Sequence, residues 1–365
     1  MTKRVVTFGE IMGRIAPAGF LRFTQCLPGS IELTFGGGEA NVACSLAIFG
    51  LDAAFVSALP AENAVADACV HRLRGLGVDV SGIVRARDGR LGLYYLETGA
   101  NQRGSNVIYD RAGSSVAIVP SAAYDWASLF ADAAWFHITG ITPAISANTA
   151  DAALEAVKAA KQAGVTVSCD LNYRKKLWKW DAGTEPQALA ERTMRGILPF
   201  VDVVIGNEED AEKVLGIQAV DSDVESGELN VGAYEGVARE IVAQFPNVSK
   251  VAITLRESLS ATHNNWGALL YDANVGESFL APLSSGSYQP YEIKTIVDRV
   301  GGGDSFAAGL IFALLTEGLD DSANAIRYAV AASCLKHSIS GDINYATRPE
   351  VEALMGGAAS GRVSR

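Results

Sequence analysis

The chain has few of the residues that carry metal and disulfide chemistry. Its five cysteines, Cys26, Cys44, Cys69, Cys169 and Cys334, are odd in number and widely spaced, with no CxxC pair. That pattern argues against a thiolate metal site or a disulfide framework, and reads as free thiols in a reducing cytoplasm. The four histidines, His71, His137, His263 and His337, show no HExxH or other ligand spacing, so each reads as structural. No apolar run approaches the roughly 18 residues that cross a bilayer. The start, Met1-Thr2-Lys3-Arg4, runs straight into Val5-Val6-Thr7-Phe8, which reads as a first strand and not as a signal peptide. Basic residues are in deficit: 30 Lys and Arg stand against 41 Asp and Glu, for a net charge of −11. A nucleic-acid binder needs a basic face, so no nucleic acid is expected as partner, and no membrane either. The same deficit opposes anionic ligands at long range, so an anionic substrate would need local arginines of its own.

What is present is material for a core. Hydrophobic residues make up 49% and charged residues 19% of 365 residues, enough for one large α/β domain with an excursion, or for two domains. There is no internal repeat and no low-complexity linker.

The most informative stretch is Asp298-Arg299-Val300-Gly301-Gly302-Gly303-Asp304-Ser305-Phe306. A β-rich run ending near Val297 leads into it. The apolar run Phe306 to Leu315 leaves it as a helix, with Phe306, Leu310 and Leu314 on one face. Three glycines thus stand where a helix begins. Their N–H groups are open to a ligand, and the positive end of the helix dipole lies there, so the turn suits a phosphate or another oxyanion. Asp304 at the same spot either caps the helix or takes a proton from a substrate beside the anion site. A second glycine turn, Phe35-Gly36-Gly37-Gly38-Glu39-Ala40-Asn41, opens another helix. It is not a GxGxxG dinucleotide fingerprint, because Asn41 stands where the last glycine would be. Asn41 suits either a hydrogen bond to sugar hydroxyls or a local cap.

Along the chain, strands are expected at 4–9, 53–58, 135–138, 165–170, 201–205, 250–254 and 267–271. Helices are expected at 62–76, 146–163, after Asn207 to Leu215, at 233–245 and, as the last, at about 321–337. Alternating β and α elements imply a mostly parallel sheet with helices on both faces, and ligands sit outside the carboxyl ends of such strands. Asp170, Asn207 and Asp298 all follow strand-like runs and are expected to converge there. Residues 91–111 hold two β-prone runs with no helix between them, and with 14–35 they suggest a small projecting sheet that covers the site as a lid. Residues 217–232 read as an acidic surface loop and 357–365 as a disordered tail.

Together these residues resemble a family. Asp298 to Asp304 is similar to the second signature of the ribokinase-like (PfkB) carbohydrate kinases, D-T-x-G-A-G-D. Gly36-Gly37-Gly38-Glu39-Ala40-Asn41-Val42-Ala43, with Gly50 beyond it, is similar to the first. The two stand in the family's order, and the likeness covers the chain except for 217–232 and the tail. Within the family, four segments resemble the 2-keto-3-deoxygluconate kinases: Phe8 to Met12, Tyr109 to Ser114, Asp170 to Trp178, and Leu255 to Ser258.

The resemblance implies a three-layer αβα sandwich with a small β-sheet lid, in one kinase domain over residues 1–356. It implies transfer of a phosphoryl group from ATP to the primary hydroxyl of a sugar acid, with Mg2+ present. Asp304 matches the general base, and Gly301, Gly302 and Gly303 match the anion hole. Gly37 and Asn41 match sugar contacts, and Tyr94, Tyr109, Arg111 and Arg174 match residues that hold the ketoaldonate. Asn207 and Asp298 fall on the nucleotide side. The family's N-x-x-E, linked to magnesium, reads Asn207-Glu208-Glu209-Asp210, which gives Glu209 and Asp210 as metal-linked residues. A monovalent cation near residues 337–345 and a dimer through the lid are family habits that this sequence leaves open.

The chemistry agrees with a sugar acid. Arginine offers a planar fork suited to a carboxylate, and two of them would offset the acidic balance. The plainer readings are a surface cluster for Arg174 with Lys175 and Lys176, and a structural pair with Asp110 for Arg111. Arg299 replaces the signature's Thr and faces either phosphate or solvent. Leu59-Pro60 replaces a glycine often found after the first signature. The alternatives are a kinase for a neutral ketose such as fructose, and a non-catalytic sugar- or nucleotide-binding regulator on the same fold. The regulator has no use for the Asp304 base, and a dinucleotide-dependent oxidoreductase fails for want of its fingerprint.

Overall fold

A computed structural model of the chain describes residues 3–218 and 231–357, the side chain of Glu208 apart. The central element is a ten-stranded sheet. In chain order its main strands are β1 (Arg4–Phe8), β4 (Asp52–Pro60), β5 (Ile83–Ala86), β8 (Ala133–Thr139), β9 (Thr166–Asp170), β10 (Val203–Gly206), β11 (Lys250–Ser260), β12 (His263–Asp272) and β13 (Glu277–Ala281). They lie in the order β13-β12-β11-β10-β9-β8-β1-β4-β5, and a short strand, Tyr291–Ile293, pairs with β12. From β11 to β5 every pairing is parallel, while β12 and β13 form an antiparallel edge.

A parallel strand buried on both faces needs apolar residues at successive positions. β1 supplies them, and sends Val5 into one core and Val6 into the other. One core holds side chains of the helices Ala147–Gln162, Pro186–Ile197 and Val231–Gln244. The other holds those of Gly38–Phe49, Ala64–Gly75, Gly302–Leu314 and Ser322–Lys336. The result is the expected α/β sandwich of three layers.

A second sheet of four strands stands apart from the first, formed by β2 (Met12–Ala16), β3 (Glu32–Gly36), β6 (Gly92–Glu97) and β7 (Asn106–Asp110), in the order β3-β2-β6-β7. This is the lid expected from 14–35 and 91–111. Its register sorts two faces. Arg14 lies opposite Tyr94, and Tyr94 opposite Tyr109. One residue along, Leu33, Ile15, Tyr95 and Ile108 form a row on the other face.

Four expectations need correction. Ser322–Lys336 is not the last helix: Arg348–Met355 follows it, opened by a Thr347–Glu350 capping box. Pro186–Ile197 is a helix that the sequence reading passed over, although Pro186 at its first turn is an ordinary start signal. The β-prone run before the glycine triplet does not continue to Val297 as a strand, because only Tyr291–Ile293 pairs, antiparallel with β12, and residues 294–301 are irregular. Asp298 therefore does not leave a strand end. Of the loop read over 217–232, residues 219–230 lie outside the described residues, and Val231 and Gly232 lie in a helix, Val231–Gln244. Residues 358–365 of the expected tail also lie outside them. No described helix is long and apolar enough to cross a membrane.

Candidate active site

The carboxyl ends of β8, β9 and β10 open into a cleft of about 850 Å³, with the lid on its other side. It is lined from the sheet by Asp170 and Gly206, from the lid by Met12, Tyr94 and Tyr109, and from the helices by both glycine turns.

The two turns face each other. Gly301 precedes the helix Gly302–Leu314 with φ 83°, a left-handed conformation that favours glycine. A Cβ there would stand 2.0 Å from the Asp342 carbonyl oxygen. Gly302 backs on His337, whereas a Cβ on Gly303 would meet nothing within 4 Å. Gly303 is exposed to the cleft, and the first-turn N–H groups of its helix have no intrahelical acceptor, although Gly302 N donates back to Arg299 O at 3.3 Å. At the other turn, a Cβ on Gly37 would stand 2.0 Å from the Glu10 carbonyl oxygen, and one on Gly38 would stand 3.5 Å from Asp304 Oδ1.

Asp304 lies between them. Asn41 Nδ2 donates to its Oδ2 at 2.7 Å. Burial pushes the Asp304 carboxyl up to about 7; the Asn41 hydrogen bond opposes that rise, and the nearby Asp342 and Glu39 add to it. Glu39 itself is buried and accepts from Thr139 N at 3.0 Å, Thr139 Oγ1 at 2.8 Å and Thr142 Oγ1 at 2.7 Å. It holds the start of the Gly38 helix against the end of β8.

The ketoaldonate-matching residues collect on the lid side. Arg111 is buried, its Nε donates to Glu10 Oε2 at 2.5 Å, and its guanidinium lies 5.7 Å from the Tyr109 ring centroid. The structural pair with Asp110 does not form: Asp110 binds Arg90 instead. Tyr94 lines the cleft with its ring, but its hydroxyl donates to Asp342 at 2.6 Å. Arg174 is exposed at the cleft and donates to its neighbour's carbonyl, Tyr173 O, at 3.2 Å. Its charge reaches Asp170, Asp210 and Asp304.

The nucleotide-side and metal-linked residues divide. Asn207 lines the cleft but its Oδ1 caps the helix Glu208–Leu215. Asp210 completes that cap, accepting from Asn207 N at 3.2 Å and from Tyr173 N at 2.8 Å. Glu209 is exposed at the cleft wall. Asp298 is not on that wall. It is buried, and its carboxylate accepts from Arg14 Nη2 at 2.5 Å, Val300 N at 3.0 Å and Gly341 N at 3.1 Å. It shapes the glycine segment from behind. Arg299 lines the cleft while its Nη2 donates to Ser260 O at 3.2 Å and Ala261 O at 2.6 Å, which is neither of the two expected orientations in pure form.

Sequence reasoning missed the group that ties the lid to this segment. Arg14 bridges Asp298 and Asp342, at 2.5 and 2.7 Å, with all three side chains buried. It also missed Glu10, the partner of Arg111, and Arg256 and Lys213 at the cleft wall. Glu10 was visible as the charged residue in the Phe8 to Met12 segment. Arg14 had no signal, since its partners lie far along the chain.

Among the described residues no three His, Cys, Asp or Glu side chains group to hold a metal ion. Mg2+ keeps waters and is commonly bound through one or two carboxylates plus substrate phosphates, and the cleft wall carries the carboxylates of Asp170, Glu209 and Asp210. Burial and the charges of Asp210 and Asp304 hold the Asp170 carboxyl well above the usual carboxylate range. A cation at this wall would relieve that crowding.

The family model for pfkB family carbohydrate kinases matches residues 2–348. The chain is 43% identical to a 2-dehydro-3-deoxygluconokinase from Thermotoga maritima of solved structure, with a TM-score of 0.87 over 97% of this chain and all of that one. It is 31% identical to a 2-dehydro-3-deoxygalactonokinase from Haloferax volcanii over 99% of both chains. It is 26% identical to a 2-dehydro-3-deoxygluconokinase from Bacillus subtilis over 93% of this chain and 91% of the relative. With two facing glycine turns, an aspartate between them and a whole-length family match, the chain belongs to the pfkB family of carbohydrate kinases.

Proposed function

We propose that this kinase transfers the γ-phosphoryl group of ATP to the primary hydroxyl of 2-keto-3-deoxygluconate or its galactonate epimer. The observation that carries the reading is the placement of Asp304. It faces both glycine turns, with Asn41 on one of its oxygens, while Arg111 lines the same cleft from the lid.

In the proposed reaction the Asp304 carboxylate accepts the hydroxyl proton as that oxygen bonds to the γ-phosphorus. The bond from phosphorus to the bridging oxygen breaks, and ADP leaves with its electron pair. The N–H groups of the Gly301–Gly303 turn stabilise charge on the phosphoryl oxygens. Gly37 leaves room for the sugar, Asn41 orients Asp304 and a hydroxyl, and Tyr109 and the Tyr94 ring flank the sugar. Arg111 and Arg174 hold the substrate carboxylate, Arg111 with its orientation set by Glu10. Asn207 borders the nucleotide, and Asp298 acts through the glycine segment. Glu209 and Asp210 are the residues that would face Mg2+; when bound with the nucleotide, Mg2+ offsets phosphate charge.

Residues 1–356 act as one kinase domain. The outer row of the lid, with Leu33 48% and Ile108 53% exposed, is read as the contact for a second copy of the chain. The five cysteines are free, which suits a cytoplasmic protein.

The test is ADP release with Mg2+ and ATP on 2-keto-3-deoxygluconate, its galactonate epimer, fructose and ribose. Turnover confined to the keto acids supports the proposal. Preference for fructose or ribose would remove the sugar-acid reading and make Arg111 and Arg174 structural.

A further inference from the structure

Behind the glycine turn lies a lysine that the reaction above does not use. Lys336 ends the helix Ser322–Lys336 and is fully buried. Lysine is almost never fully buried unless paired. Yet Lys336 forms no ion pair among the described residues. Its Nζ donates to two backbone carbonyls, Ile339 O at 3.0 Å and Asp298 O at 3.4 Å.

Those carbonyls belong to the two segments that build the anion site. Asp298 begins the run into Gly301. Ile339 leads to Gly341, whose N–H binds the Asp298 carboxylate, and to Asp342, whose carbonyl lies against Gly301. The charged groups around the ammonium are the carboxylates of Asp298, Asp342 and Asp304 and the guanidinium of Arg14. Burial pulls the lysine below its ordinary range, while the three carboxylates favour its charged form. Backbone carbonyls around a desolvated positive charge are the ligands that replace the water shell of a bare monovalent cation.

We propose that Lys336 is a positioning residue for phosphoryl transfer: its ammonium is a built-in cation that clamps the Asp298 and Ile339 carbonyls, holds the Gly301–Gly303 turn in its anion-binding shape, and makes turnover independent of added monovalent ions. The proposal rests on the kinase reading. It differs from a purely structural role in what it predicts for kcat and for salts.

Wild-type protein is desalted into choline chloride and compared with KCl at equal ionic strength. The expected result is the same kcat in both; activation by K+ of about fivefold or more, the lower edge of ordinary coupling between sites, overturns the proposal. For Lys336→Met, kcat is expected to fall by about tenfold or more with the sugar KM unchanged, and to be partly restored by NH4+ or K+. A variant with wild-type kcat overturns the proposal. If the variant does not fold, the wild-type comparison decides alone. If no sugar is phosphorylated, the kinase reading fails separately, and the melting temperature still reads the site: equal values in KCl and choline chloride are expected, and a rise specific to K+ overturns the built-in cation.

Discussion

Asn41 Nδ2 and Asp304 Oδ2 are 2.7 Å apart, joining the two glycine turns through one hydrogen bond. The amide orients the carboxylate and limits the rise in its proton affinity that burial causes. Were Asp304 only a helix cap, it would not need to stand half-buried in a cleft, opposite a second helix start.

Its titration predicts a pH profile. With the Asp304 carboxyl raised to about 7, the basic form grows as pH rises through neutrality. Turnover at saturating ATP is expected to climb about tenfold per pH unit below that point and level off above it. A flat profile from pH 5.5 to 8.5 would contradict the assignment.

The same shift has a stability consequence of the opposite sign. The folded-state value lies above the unfolded one, so the protonated carboxyl favours folding at low pH, and that contribution is lost as pH rises through about 7. Asp304→Asn cannot ionise. Its melting temperature relative to wild type is expected to be higher at pH 8 than at pH 5, and parallel curves would speak against the raised value.

Arg111 is predicted to determine specificity for the acid. A charge-assisted hydrogen bond contributes about 1.5–3 kcal/mol. Arg111→Met should therefore raise KM for the keto acid by roughly tenfold to a hundredfold, while kcat for that substrate changes less. Glu10→Gln, which weakens the hold on Arg111 Nε, should move KM the same way by a smaller factor. Unchanged KM in Arg111→Met would assign the Glu10–Arg111 pair to the fold alone.

Removing Arg14 should destabilise more than any single lid contact. Arg14→Met leaves Asp298 and Asp342 buried without their common cation, an effect of about 3–5 kcal/mol for broken buried pairs. Urea unfolding reads it directly. Tyr94→Phe removes only the hydroxyl donated to the Asp342 carboxylate, and is expected to cost about 1.5–3 kcal/mol.

How much of this was readable from the chain depends on the range of the interactions. The parallel sheet was legible because β1, β8 and β10 carry neighbouring apolar residues that do not need to alternate. The two glycine turns were legible because a helix start is a local event. Asp304 and Asn41 were found through their turns, but their contact was not, since nothing local encodes a hydrogen bond between residues so far apart. The same holds for Arg14 with Asp298 and Asp342. Asp298 looked like a cleft residue because the run before it is β-prone; in the fold that run is a short edge strand, and the carboxylate turns inward to Arg14. Asp210 fits the magnesium pattern by spacing; in the fold its Oδ2 also closes the helix cap on Asn207 N, and its Oδ1 accepts from Tyr173 N.

The lid's outer row gives a further expectation. If Leu33, Ile15, Tyr95 and Ile108 meet their copies in a second chain, Ile108→Glu should shift the protein to a monomer in sedimentation without unfolding it. A monomeric wild type would remove that reading.

The central claim is that Asp304 is the base in a site that binds a sugar acid. The most direct measurement is calorimetric binding of 2-keto-3-deoxygluconate to wild type and Asp304→Asn, alongside ADP release by both. The predicted result is similar affinity in the two proteins with kcat lower by about 10²–10⁴ in the variant. Substantial turnover by Asp304→Asn, or failure of the wild type to bind the keto acid at all, would contradict it.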